Sequence, residues 1–287
     1  MSGPPWLVLP TFNEVENLEV VVGAARRVLG TAAPEGFRVL VVDDGSPDGT
    51  GRLGDRLAAA HPDEVSVLHR TAREGLGPAY LAGFARALEA GAGYVFEMDA
   101  DLSHDPADLA RLLAAVREGG ADLALGSRYV PGGGVADWGA VRRMVSRGGS
   151  WYARRALGID VRDLTGGFKC FRADVLRAID LPSVRSRGYA FQVELTYRAL
   201  LAGFRVVEVP IVFRDRVRGT SKMSWRITAE AVWLVPQLRR GAGRLRVLGR
   251  DAPASRDSAR DGPAASHLEH PAGGAQAPSS PGRLDRG

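Results

Sequence analysis

Short, almost wholly apolar runs of strand-forming residues recur along the first half of this chain. Each is followed by a polar turn and then by a segment of helical spacing. Residues 6–10 and 38–43 are such runs, and residues 17–29 between them place apolar side chains at helical intervals. Further strands are predicted at 65–68, 94–98 and 122–126, with helices at 79–89 and 106–118. A strand apolar along its whole length is covered on both faces, and a helix after each strand brings the next one in parallel. The pattern therefore predicts an α/β fold, a mostly parallel sheet with helices on both faces.

The second half is less regular. Residues 129–137, with Gly132, Gly133 and Gly134, read as a flexible loop. Residues 142–157 and 221–238 have helical spacing, with Pro236 placed to kink or end the second helix, and 206–213 reads as a strand. From about residue 249 the composition turns to Pro, Ala, Gly, Ser, Arg and Asp. Such a tail buries too little apolar surface to offset its ordering entropy and is expected to be disordered.

In an open α/β sheet, ligands bind beyond the carboxyl ends of the strands. Acidic residues gather at three of those ends. Asp99 and Asp101 follow the 94–98 strand. Held together, two carboxylates repel unless a cation lies between them, and a divalent ion shared with a nucleotide diphosphate satisfies both. After the first strand, Asn13 and Glu14 suit a base or ribose, with Pro10 and Phe12 as apolar walls; Thr11 or Asn13 would equally cap the next helix. After the second strand, one of Asp43 and Asp44 suits a base N–H or a ribose hydroxyl, although Asp-Gly turns are also common in solvent. Neither a G-x-G-x-x-G after the first strand nor a P-loop is present, which argues against dinucleotide-dependent hydride transfer and ATP hydrolysis.

The formal charge is +5, with Arg and Lys concentrated between residues 214 and 250. That excess suits a phosphate-bearing ligand or an anionic membrane; no nucleic-acid-binding motif accompanies it. Cys170 is the only cysteine, which excludes an internal disulfide, argues against a thiolate zinc site and suggests a core residue. No window approaches the ~20 apolar residues of a spanning helix. The first strand begins almost at once, leaving no room for a signal peptide, so the catalytic body is expected in the cytoplasm.

The ordered set PTFNE (10–14), VDDGSPDGT (42–50), GLGPAY (75–80), MDADLSH (98–104), GSRY (126–129), DLTGGFKCF (163–171), GYAFQVE (188–194) and RVRGTSK (216–222) resembles the GT-A glycosyltransferases of family 2. Within them it is similar to the dolichol- or polyprenol-phosphate mannose synthases, from about Trp6 to Leu238. The resemblance implies a GT-A catalytic domain over residues 1–238, ending in an amphipathic segment at about 223–238, then a basic and disordered tail over 239–287. It implies an inverting transfer of mannose from GDP-mannose to a polyprenyl monophosphate, dependent on Mg²⁺ or Mn²⁺. By the same resemblance Pro10, Phe12, Glu14, Val42 and Asp44 would hold the guanosine. Asp99, Ala100 and Asp101 would meet ribose, diphosphate and metal, with Asp101 the main metal ligand and Ser103 beside it. Arg128, Arg216 and Lys222 would grip phosphate oxygens and, with Asp101, form the catalytic set. Two positions depart from the pattern: Phe12 stands where Tyr is common, and Ser103 where some relatives have Gln.

A lipid monophosphate is already anionic at neutral pH, so the chemistry asks for charge neutralisation and alignment more than for a general base. Glu194 is the one candidate base, with a structural salt bridge as its other reading. Met223, Trp225, Ile227, Val232, Trp233 and Leu234 precede a run of arginines. This suits peripheral attachment to the cytoplasmic face of a membrane, alone or beside a membrane subunit. The alternatives are a UDP-sugar donor, a non-catalytic nucleotide-sugar-binding subunit and, most distantly, a nucleic-acid binder.

Overall fold

Along the first strand, β1 (Pro5–Thr11), side chains alternate between two cores. Leu7 and Leu9 join one, Trp6 and Val8 the other, and every residue of the strand is buried. The computed structural model describes residues 3–136, 138–184, 186, 188–215 and 235–240. The chain continues through α1 (Leu18–Ala32), β2 (Arg38–Asp43), α2 (Thr50–Ala60), β3 (Val65–His69), α3 (Leu76–Glu89) and β4 (Tyr94–Glu97). Then come α4 (Asp108–Arg117), β5 (Leu123–Ser127), β6 (Gly134–Val135), α5 (Ala140–Leu157), β7 (Lys169–Arg172) and α6 (Ala173–Ala178). The last elements are α7 (Gly188–Leu201), β8 (Val206–Pro210) and β9 (Val212–Phe213).

Seven strands form one sheet in the order β3-β2-β1-β4-β7-β5-β8, parallel except for β7, which runs antiparallel to both β4 and β5. Helices α1 and α4 cover the face of Leu7, Leu9, Val39, Val41 and Phe96. Helices α3, α6 and α7 cover the face of Val8, Leu40, Val42, Val95 and Phe171. This is the doubly covered sheet that the apolar strands predict. Helix α3 lies so close to β1 that a Cβ on Gly83 would stand 2.3 Å from Val8 Cγ1. Cys170 is fully buried on β7 among the apolar core.

Three expectations are corrected. Residues 129–137 are not all loop, because β6 pairs in parallel with β9. The predicted 206–213 strand divides at Ile211, whose N–H donates to Ser127 O (3.0 Å), and its two parts join different sheets. Neither Thr11 nor Asn13 caps α1, which begins at Leu18. Instead the N–H groups of Asn13, Glu14 and Val15 donate to Ser46 Oγ (3.0 Å), Thr50 Oγ1 (2.9 Å) and Asp48 Oδ2 (3.2 Å), in the loop after β2 and the first residue of α2.

Of the predicted 221–238 helix, residues 221–234 lie outside the described residues, as does the tail from 241. Residues 235–240 are helical, continuing past Pro236, and Val235 and Leu238 are buried against α5 and α7. Among the described residues no helix is long and apolar enough to cross a membrane.

Candidate active site at the carboxyl ends of the central strands

Strands β2, β1 and β4 are neighbours and parallel, so the loops after Asp43, Thr11 and Glu97 emerge side by side. Two non-glycine residues there have left-handed backbones, Asn13 (φ 58°) and Leu102 (φ 62°). Asn tolerates that region through its short polar side chain; Leu does not, so Leu102 is held by its surroundings. The sharp turn at Leu102 folds the loop back on itself. Ser103 then donates both its N–H (3.0 Å) and its hydroxyl (2.5 Å) to Asp101 Oδ1. Asp101 is buried, and this pair of bonds fixes its rotamer.

Asp99 is more open and accepts a hydrogen bond from Tyr80 Oη of α3 (3.2 Å). Burial, then the charge of Asp99, raises the Tyr80 pKa well above its ordinary value, so the phenol stays a donor. Beneath the loop, Lys169 and Glu97 face each other on β7 and β4, both without solvent exposure. Lys169 Nζ donates to Glu97 Oε1 (2.7 Å) and to the side-chain oxygen of Gln192 on α7. Burial pushes the Glu97 carboxyl up and the Lys169 ammonium down, and each charge opposes the other's shift. A Cβ on Gly167 would stand 3.3 Å from Gln192 Nε2 and 3.8 Å from Asp99 Oδ2, so the network reaches the edge of the acidic loop.

The carboxylate of Asp44 is buried and occupied by the segment before α3. It accepts the N–H groups of Glu74 (3.2 Å) and Gly75 (2.8 Å) and pairs with Arg70. The Arg73 guanidinium lies 4.0 Å over the Phe12 ring. Glu14 Oε2 accepts from Asn17 Nδ2 (2.9 Å). Pro10, Val42 and Ala100 are buried, and the Val42 side chain belongs to the core. The expected guanosine-binding residues thus share one edge of the sheet, with residues 70–75 laid across them.

Arg128, expected at phosphate oxygens, forks instead onto Asp163: Nε to Oδ2 at 2.7 Å and Nη2 to Oδ1 at 2.6 Å. It is 6% exposed, and Nη2 also donates to Thr165 Oγ1 (2.9 Å). Trp138, Phe213 and Tyr129 surround the guanidinium, with ring centroids at 5.6, 5.4 and 5.2 Å. Phe213 also meets the ring of His104 at 5.2 Å, linking the Arg128 cluster to the Asp101 loop. Burial pushes His104 down to about 4, so the ring is neutral at neutral pH. Glu194 is a structural partner: Arg198 Nε donates to it at 2.9 Å, and the Ser186 hydroxyl bonds it too. Arg216 and Lys222 lie outside the described residues.

Among the described residues no group of three or more His, Cys, Asp and Glu is arranged to hold a metal ion. Asp99 and Asp101 offer hard carboxylate oxygens of the kind that bind Mg²⁺ or Mn²⁺ when substrate phosphates complete the shell. The donor set therefore fits a cation shared with a diphosphate, and does not fit an all-protein cage. Sequence reasoning missed Lys169, Gln192, Tyr80 and Asp163 as members of this site. A lysine between Phe168 and Cys170 in a buried strand was the available signal, since an interior ammonium requires a partner.

The family model described as glycosyl transferase family 2 matches residues 6–180. The chain belongs to glycosyl transferase family 2. This family 2 chain is 51% identical over 231 residues to the polyprenol monophosphomannose synthase of Mycolicibacterium smegmatis, covering 80% of this chain and 85% of that one. It is 52% identical over 225 residues to the undecaprenyl-phosphate mannosyltransferase of Micrococcus luteus, covering 78% and 89%. Among solved structures, it shares its fold with the mannosyl-3-phosphoglycerate synthase of Rubrobacter xylanophilus (TM-score 0.58, 20% identity, 84% of this chain and 75% of that one). A mannosyltransferase of Pyrobaculum calidifontis, solved with GDP-Man and Mn²⁺, is similar at TM-score 0.51 and 16% identity, over 88% and 77%. The family 2 fold here is GT-A-like.

Proposed function

We propose that this glycosyltransferase transfers mannose from GDP-mannose to a polyprenyl monophosphate, with inversion at the anomeric carbon. The observation that carries the reading is the half-identity, across most of both chains, to a polyprenol monophosphomannose synthase. The acidic loop beyond β4, beside the ends of β1 and β2, supports it with the means to hold a nucleotide diphosphate. In the step itself a phosphate oxygen of the lipid forms the bond to the anomeric carbon. The bond from that carbon to the β-phosphate oxygen of GDP-mannose breaks, and GDP departs with the electron pair. The attacking oxygen is already anionic, so no side chain has to remove a proton, in keeping with the structural engagement of Glu194.

Asp101, fixed by Ser103, and Asp99, fixed by Tyr80, would hold a Mg²⁺ or Mn²⁺ ion. An ion bound there would supply charge neutralisation to the departing diphosphate. Arg128 acts as a positioning residue, fixing the 163–165 loop through Asp163 and Thr165. Arg216 and Lys222 would supply the cations that align the two phosphates. The nearest described residue is Asp215, which accepts from Arg142 at 2.7 Å. The expected setting is the cytoplasmic face of a membrane, where the lipid acceptor is presented.

Equilibrium binding tests the donor. GDP-mannose should bind at least about tenfold more tightly than UDP-glucose, since a pocket that hydrogen-bonds guanine leaves polar groups unpaired around uracil. The reverse preference would keep the transfer chemistry and overturn the donor.

A further inference from the structure

Gln192 on α7 is 3% exposed and belongs to the buried network of Glu97 and Lys169. Lys169 Nζ has only protons to give, so the oxygen of the Gln192 amide must face it. The amide nitrogen, Nε2, is thereby turned the other way. Among the described residues it has no hydrogen-bond partner. Glu97 is the nearest acceptor to expect, and the amide does oppose the rise that burial gives the Glu97 pKa. Glu97 Oε2 is nevertheless without a hydrogen-bond partner too, so the two atoms do not bond each other. A buried N–H with no acceptor is destabilising, and a network that keeps one calls for an explanation.

Beside Nε2 a side chain is missing. An ideal Cβ on Gly167 would stand 3.3 Å from Gln192 Nε2 and 3.8 Å from Asp99 Oδ2. Gly167 is not among the glycines of positive φ, so its backbone does not itself demand glycine. Gly167 and Asp99 are both half-buried, which leaves the notch between them open to solvent. Tyr80 holds Asp99 through its other oxygen, Oδ1. The notch therefore presents one fixed donor and one fixed acceptor. A hydroxyl answers both, since its oxygen accepts while its proton is donated. A phosphate oxygen would be repelled by the Asp99 carboxylate, and an apolar group would leave Nε2 unpaired.

We propose that a hydroxyl of the transferred hexose seats against Gly167, accepting from Gln192 Nε2 and donating to Asp99 Oδ2. Lys169 is the positioning residue: held by Glu97, it fixes which end of the amide meets the sugar. The proposal rests on reading the donor as a nucleotide-diphospho-hexose. Its place agrees with that reading. The hexose is bonded to the β-phosphate, and Asp99 lies in the same loop as Asp101, where the diphosphate is expected. Gln192 would thus contribute to recognition of the sugar and not of the nucleotide.

Calorimetric titration of the full-length chain with GDP-mannose and with GDP, Mn²⁺ present in both, tests the proposal. Gly167→Ala fills the notch without removing a hydrogen bond. It should weaken GDP-mannose binding about tenfold and leave GDP binding as in the parent. Gln192→Leu removes the donor and should show the same split; if it fails to fold, Gly167→Ala decides. Lys169→Met combined with Glu97→Gln frees the amide to turn over, and should weaken GDP-mannose while sparing GDP. Among donors that each lack one mannose hydroxyl, one should bind the parent and Gln192→Leu equally, because the bond removed by the substitution is already missing. Parent-like binding of GDP-mannose by Gly167→Ala would overturn the proposal. So would equal losses of GDP and GDP-mannose in Gln192→Leu. A loss of stability alone in that variant would also overturn it, and would make Glu97 or a water the partner of Nε2. If UDP-glucose binds and GDP-mannose does not, the donor reading falls, and the same comparison of UDP-glucose with UDP decides the hexose site.

Discussion

Asp101 and Lys169 are both buried, but they place different demands on the molecule. Asp101 accepts two bonds from Ser103, two residues away in the same loop. Asp101→Ala should abolish transfer while the thermal unfolding midpoint stays near that of the parent; retained turnover would remove Asp101 from the diphosphate site. Lys169 is fully buried opposite Glu97, and Lys169→Met strands that carboxylate in the interior. The expected loss of stability is about 3–5 kcal/mol, with much of it recovered when Glu97→Gln is added. Denaturant unfolding of the two variants checks this, and equal instability of the single and double variants would contradict the pairing. Neither the fork of Arg128 onto Asp163 nor the occupation of Asp44 by Arg70, Glu74 and Gly75 was legible in the sequence. Motifs place a charged residue at a strand end, but its partner comes from a distant segment brought alongside by the fold.

At the scale of elements, legibility follows the pattern each element leaves. Strands β1 to β5 and helices α1, α3 and α4 were readable, because a helix packed on one side of a sheet carries a stripe and a doubly covered strand carries a run. Helix α7 leaves neither. Its residues Ala190 to Ala199 are all buried, polar and apolar alike, so no polar face marks it as a helix. Strand β7 is four residues long, with a lysine at one end and an arginine at the other, and it enters the sheet antiparallel between β4 and β5. Nothing local in those four residues encodes that insertion. Close packing of α3 on β1 supplies a prediction at this scale. Gly83→Val forces a branched side chain into the space of Val8 and should destabilise the chain by about 1–3 kcal/mol through overpacking. A neutral result in denaturant unfolding would show that α3 can move away from the sheet.

The whole molecule joins the candidate nucleotide edge, formed by the ends of β2, β1 and β4, to the arginine-rich helix α5 beyond β5. The antiparallel β7 bridges the two parts. It pairs with β4 on one side and β5 on the other, and Lys169 ties it to Glu97 at the end of β4 while Asp163 ties the segment before it to Arg128. The most direct test is transfer of labelled mannose from GDP-mannose to a short polyprenyl phosphate, with Mg²⁺, with Mn²⁺, and with chelator. A lipid-soluble, acid-labile mannosyl product that forms with either ion and vanishes with chelator is the predicted result. Product with a UDP-sugar and none with GDP-mannose, or undiminished transfer in chelator, would contradict it.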